Sequence, residues 1–127
     1  MFVRAILLSL VIAVVSLASG TSAYSGDGTW YETGLGACGI YNTDSDKIVA
    51  ASARLFDTYP GATANPNNNP ICKRRVNIHY QGKTVQAAIT DRCAGCAGEY
   101  DLDMSPGAFD VLAPPSAGRI PITWEYA

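Results

Sequence analysis

Four cysteines, Cys38, Cys72, Cys93 and Cys96, are spread through a chain of only 127 residues. Whether they form disulfides, hold a metal or work as a redox pair depends on the compartment, and the first residues speak to that. Arg4 follows Met1, and "AILLSLVIAVVSLASG" then begins a stretch without a charge as far as Asp27. The apolar run is too short, and too interrupted by Ser and Gly, for a membrane span, which needs about 20 apolar residues. A basic start, an apolar middle and the small residues of "GTSA" describe a cleavable secretion signal. The expected cut follows Ala23, with Ala18 to Gly20 as a second site and an uncleaved anchor as the alternative. This reading gives a signal peptide at 1–23 and one secreted, extracellular domain at 24–127, about 100 residues long.

An even cysteine count in a small secreted domain reads as two disulfides, which compensate for a thin core. A zinc site at Cys93-x-x-Cys96 would need a second closely spaced ligand pair, yet Cys38 and Cys72 lie far apart in the chain. A thioredoxin-like motif should open a helix, whereas Cys96 runs into "AGEYD". The CxxC is therefore read as a staple. Three pairings remain open on sequence grounds; Cys38–Cys72 with Cys93–Cys96 is the expected one. The net charge of −2 is a poor field for nucleic acid or acidic lipid, so neither nucleic acid nor, after signal cleavage, a membrane is an expected partner. The basic run Lys73-Arg74-Arg75 reads as a solvated strand end. No Asn-x-Ser/Thr sequon is present.

Along the mature chain, "GTWYET" (Gly28 to Thr33) is rich in strand formers. "KIVAAS" predicts a short strand, and "ARLFDTY" one or two helical turns that Pro60 stops. "PGATANPNNNP" is a breaker-rich loop without regular structure. "RVNIHY", "QGK" and "TVQAAITD" predict a β-hairpin. Val76, Ile78 and Tyr80 share one face of its first strand, and Val85, Ala87, Ile89 and Asp91 one face of the second. "SPGAFDVLA" opens a short helix with Ser105 as N-cap and Pro106 at the first position. "GRIPITWEY" alternates Ile120, Ile122, Trp124 and Tyr126 against Pro121, Thr123 and Glu125, as a half-buried strand does. Short strands, two brief helices and long polar loops point to an all-β, closed structure, because closure removes exposed strand edges.

Five ordered blocks, "GTWYETGLGACG", "NPNNNPICKR", "TDRCAGCA", "DLDMSPGAFDVLA" and "GRIPITWEY", resemble the RlpA-like double-psi β-barrel family. Within it the chain is most similar to the single-domain, expansin-related fungal loosenins. The resemblance covers nearly the whole mature chain and implies a six-stranded double-psi barrel. It also implies that Thr29, Asp91 and Asp103 line an open glycan groove, with Trp30 where the family usually has Tyr.

Asp103, in "Asp103-Met104-Ser105", resembles the acid of related endoglucanases. Such an acid needs its pKa raised by burial or a nearby like charge, which Asp91 could supply. Inverting cleavage also needs a separate carboxylate to activate water. Asp44 and Asp46 are the clustered candidates, but "YNTDSDK" reads as a turn. Asp101 lacks the motif match, and Asp57 and Asp110 read as solvated. Losing a general base removes about 10²–10⁴-fold in rate, so a binding groove is expected rather than a hydrolase. Trp30, Tyr31, Tyr41 and Tyr100 are the candidate sugar-stacking residues, whereas Trp124 reads as core. His79 is expected on an exposed strand face, outside any catalytic constellation.

The resemblance thus implies a secreted, monomeric protein that binds cell-wall polysaccharide (cellulose, chitin or peptidoglycan) and loosens it without hydrolysis. No cofactor and no metal are expected. A weak glycanase, an RlpA-type lytic transglycosylase using Asp103, and a cysteine-protease inhibitor acting through the "ATANPNNNP" loop are the alternatives.

Overall fold

A computed structural model describes residues 23–127; the expected signal segment, apart from Ala23, lies outside the described residues. The strands are β1 (Tyr24–Trp30), β2 (Ile48–Ser52), β3 (Arg75–Tyr80), β4 (Lys83–Cys93), β5 (Leu102–Met104) and β6 (Arg119–Tyr126). They close into one barrel in the order β1-β5-β2-β4-β3-β6. Two neighbour pairs, β1 with β5 and β2 with β4, are parallel, and the other four are antiparallel. This is the closed double-psi barrel that the sequence blocks implied. Among the described residues no helix is long and apolar enough to cross a membrane.

The alternating faces fold as their patterns require. Val76, Ile78, Val85, Ala87, Ile89, Ile120, Ile122 and Trp124 are all buried. Gln81 and Gly82 both have positive φ, the backbone of a two-residue turn matched to strand twist. Helix α1 (Ala53–Thr58) starts where the Ser52 hydroxyl accepts from the Leu55 N–H, and it buries Phe56. Helix α2 (Pro106–Leu112) starts at Ser105 and buries Ala108, Phe109 and Leu112.

Three expectations are corrected. The first strand begins at Tyr24 rather than Gly28 and ends at Trp30 rather than Thr33, because its partner β6 offers pairs from Trp124 to Arg119. The breaker-rich loop contains one 3₁₀ turn, Pro66–Asn68, whose N-terminus is held by the Asn65 side chain. Buried Asn69 fixes the same loop: its amide donates to the Phe56 carbonyl at 2.7 Å and accepts from the Ile71 N–H at 3.0 Å. Arg74 is not simply solvated either. Its guanidinium lies 3.9 Å from the Tyr126 ring centre and donates to the Tyr59 hydroxyl at 2.7 Å.

The disulfides are Cys38–Cys72 and Cys93–Cys96. The first ties the loop after β1 to the segment before β3 across 34 residues, whereas the second closes a loop of 3. Chain-entropy arithmetic for those lengths gives about 4 kcal/mol for the long crosslink and about 2 kcal/mol for the short one. Urea unfolding of Cys38→Ala/Cys72→Ala is expected to show roughly twice the loss of stability seen for Cys93→Ala/Cys96→Ala.

Candidate functional site: an open groove across five strands

Strand register assembles the site. Arg119 pairs with Thr29, Thr29 with Asp103, Asp103 with Ala50, and Ala50 with Asp91. Cross-strand partners point to the same face, so these residues form one row across β6, β1, β5, β2 and β4. The row faces outward, because Leu102 and Met104 on either side of Asp103 are fully buried. With Trp30, Tyr31 and Arg92 it lines an open groove of about 420 Å³.

Asp91 reaches this row by a route the period-two pattern does not contain. Val49 pairs with Ile89, but the next pair is Ala50 with Asp91, so Thr90 is an extra, unpaired residue. Such a bulge resets which face the following residue takes. Unbroken alternation would place Asp91 with Val85, Ala87 and Ile89 on the core face, as expected from the hairpin. The bulge turns it into the groove instead.

The two groove carboxylates sit in different surroundings. Asp103 accepts one hydrogen bond, from the Thr29 hydroxyl at 2.7 Å. Burial raises its pKa above the ordinary 3.8; the Thr29 hydrogen bond opposes this, the Asp91 charge adds to it, and Arg119 opposes it. Asp91 accepts three bonds: from Ala37 N–H and Arg92 N–H at 2.8 Å each, and from the Tyr31 hydroxyl at 3.1 Å. Burial first and the Asp91 charge second push the Tyr31 hydroxyl far above its usual range, so it stays a proton donor.

An arginine stands at each end. Arg119 pairs with Asp27 at 3.0 Å. Arg92 holds Asp57 through two bonds, Nε to Oδ1 at 2.9 Å and Nη2 to Oδ2 at 2.7 Å. Asp57 is therefore ion-paired, not merely solvated, and the Arg92 hydrogen bond lowers its pKa.

The remaining acids lie outside the groove lining. Asp44 accepts from the Thr33 N–H and hydroxyl, and Asp46 from the Thr43 N–H and the Asn42 amide, which makes "YNTDSDK" a hydrogen-bonded turn. Asp101 is buried and accepts from the Asp27 and Gly98 N–H groups at 2.9 and 2.8 Å. Asp110 is exposed on α2. No cluster of metal-ligating side chains exists among the described residues.

Of the aromatic candidates, Trp30 and Tyr31 line the groove, and the Trp30 indole donates to the Pro115 carbonyl at 3.0 Å. Tyr41 does not line it; it stands 79% exposed on a neighbouring loop, where it bridges to Leu35. Tyr100 is also displaced from the expected position. It stacks on Tyr24 at 4.5 Å, in a cluster with fully buried Trp124, because the chain turns inward at Asp101 before entering β5.

One arrangement escaped sequence reasoning. His79 Nδ1 lies 2.7 Å from the Thr84 hydroxyl, and Nε2 lies 2.7 Å from Glu125. Register brings the three together on β4, β3 and β6, and a separation of 46 residues between His79 and Glu125 leaves no local signal. His79 borders a separate concavity of about 530 Å³, but Thr84 does not line it. The chain of bonds orients the imidazole and presents no nucleophile to that space.

Closed double-psi topology, two staples and an open acid-bearing groove define a class of small expansin-like barrels. The family model described as lytic transglycolase matches residues 23–124, and the chain belongs to this family of double-psi β-barrels. It is 39% identical over 85 residues to the allergen Asp f 7 homolog of Arthroderma benhamiae, matching 66% of this chain and only 27% of that one. Among solved structures it resembles the Streptomyces papain inhibitor, with a TM-score of 0.74, 34% identity, and coverage of 84% of this chain and 94% of that one. It also resembles a mutant Clavibacter michiganensis expansin in complex with cellohexaose, with a TM-score of 0.65, 26% identity, and coverage of 84% and 50%.

Because Asp103 binds its proton more tightly in the folded state, its charge weakens the fold once pH rises above 3.8, and fully so above its raised value. Asp103→Asn removes that charge and keeps an acceptor for Thr29. The variant is expected to be more stable than the wild type at pH 7 by less than about 1 kcal/mol, given solvent at the open side, and to show this as a higher melting temperature. The gap should close as pH falls below 3.8.

Proposed function

We propose that the protein is a secreted, extracellular, monomeric binder of cell-wall polysaccharide that loosens glycan networks without hydrolysing them. The observation that carries this reading is the inequality of the two groove acids. Asp103 is half-buried, raised in pKa and bonded to one hydroxyl, so it is suited to meet a sugar hydroxyl or glycosidic oxygen. Asp91 already takes three donors, and its role is to hold Tyr31 and the Ala37 loop rather than to activate water. Water activation opposite an acid requires a free carboxylate across the groove. Around Asp103, Trp30 and Tyr31 supply apolar ring faces and the two arginines supply donors, the mixed chemistry that pyranose rings match. The resemblance to an expansin solved with cellohexaose supports the same ligand class.

Two other readings have specific support. The family description and the raised Asp103 favour a lytic transglycosylase, which needs one acid/base carboxylate. The likeness to a papain inhibitor favours protease inhibition through the Ala62–Pro70 loop.

One experiment separates them. Incubation with cellulose, chitin and peptidoglycan is expected to retain the protein on at least one of them while reducing ends in the supernatant stay at background. Asp103→Ala, which removes an acceptor, should weaken that retention about tenfold. Soluble product that rises with protein and vanishes in Asp103→Asn would establish the lytic reading. Papain inhibition that survives Asp103→Asn and disappears on deletion of Ala62–Pro70 would establish the inhibitor.

A further inference from the structure

Beside the groove lies a second concavity, of about 430 Å³ against the groove's 420 Å³. It is lined by Asp57, Thr63, Ala64, Pro66 and Asn69, and its remaining wall includes Arg92, which also lines the groove. We infer that the two form one trough running across Arg92, built for an extended glycan chain rather than a short oligosaccharide. This rests on the glycan-binding reading above and adds a site to it.

The shared wall is held by a two-bond ion pair. Asp57 clamps Arg92 by two parallel bonds, and the Arg92 backbone N–H is held by Asp91. Bidentate pairing of this kind sets the plane of the guanidinium as well as its place. It leaves Nη1 without an acceptor among the described residues, as a donor at the boundary between the two concavities. A sugar hydroxyl passing from one to the other can meet it.

The second concavity has the right composition for a pyranose. Pro66, Ala62 and Ala64 offer apolar surface, while Thr63, Asp57 and Arg92 offer hydroxyl, acceptor and donor. Its loop is pre-formed: Cys72 is crosslinked to Cys38, Asn65 caps the 3₁₀ turn, and buried Asn69 bonds to Phe56 and Ile71. A wall already ordered before binding spends little affinity on being ordered. The row from Arg119 to Asp91 crosses four strand spacings, roughly 19 Å along the barrel surface at about 4.8 Å each, and the second concavity adds to that length.

The test is isothermal titration of the secreted protein with cellotriose and cellohexaose, and with the corresponding chitin oligomers. In one of the two series the longer oligomer is expected to bind at least about tenfold tighter than the shorter. Ala64→Trp, which fills the second concavity from an exposed position, should cut affinity for the hexamer about tenfold while the trimer stays within about twofold. Thr63→Trp repeats the obstruction from the neighbouring position if the first variant fails to fold. Trimer and hexamer binding alike in the wild type, or an unchanged ratio in both variants, would overturn the extension and leave the groove reading standing. Failure of every oligomer to bind would overturn both. If the tryptophan variants abolish papain inhibition and leave sugar affinities untouched, the concavity receives a peptide and the inference is wrong.

Discussion

A three-residue strand with two fully buried ends is the constraint on which the site depends. Leu102 and Met104 have no exposed surface, and β5 sits between β1 and β2 in the closed barrel. The residue between two inward side chains must face outward. Asp103 therefore stands on the outer surface with Thr29 on one side and Ala50 on the other. Ser105 locks this placement. Its N–H donates to the Ile48 carbonyl, its hydroxyl accepts from Ile48 and Ala108, and the same hydroxyl donates to the Asp46 carbonyl. One short segment thus presents the acid, fills the core and caps a helix.

The groove shows how environment divides the labour of identical side chains. Asp91 and Asp103 flank Ala50 in one row, yet one is saturated with donors and the other is held by a single hydroxyl. A carboxylate surrounded by donors is a structural anchor, whereas one short of donors and half-buried binds a proton more readily. The arginines at the two ends follow a similar logic. Each is paired to an acid on its own side, so the groove has fixed donors at its ends without a large net field.

Loops outside the groove lining are as constrained as the strands. Asn69, Asp101 and Asp44 each use their side-chain oxygens to satisfy backbone N–H groups that have no ladder partner. Together with the Cys38–Cys72 crosslink they give a small barrel rigid walls that its core alone could not supply.

Local sequence rules determined the parts whose physics is local. The inward faces of β3, β4 and β6 and the Ser105–Pro106 helix start were legible, because alternation and capping involve neighbours in the chain, whereas the choice among three cysteine pairings was not. Short strands among polar loops pointed to closure, and the five-block resemblance added the six-stranded double-psi topology and with it Thr29, Asp91 and Asp103. Strand β5 left no periodic trace of its own, since three residues are too few to show a period. Only tertiary structure decided that a bulge at Thr90 is what turns Asp91 outward, that Tyr100 would stack on Tyr24 away from the groove, and that Arg92 would pair with Asp57 from 35 residues away. Those outcomes depend on register between distant strands and on which residue meets which across the closed barrel. Period-two patterns record the face a residue prefers, but not the partner that finally holds it.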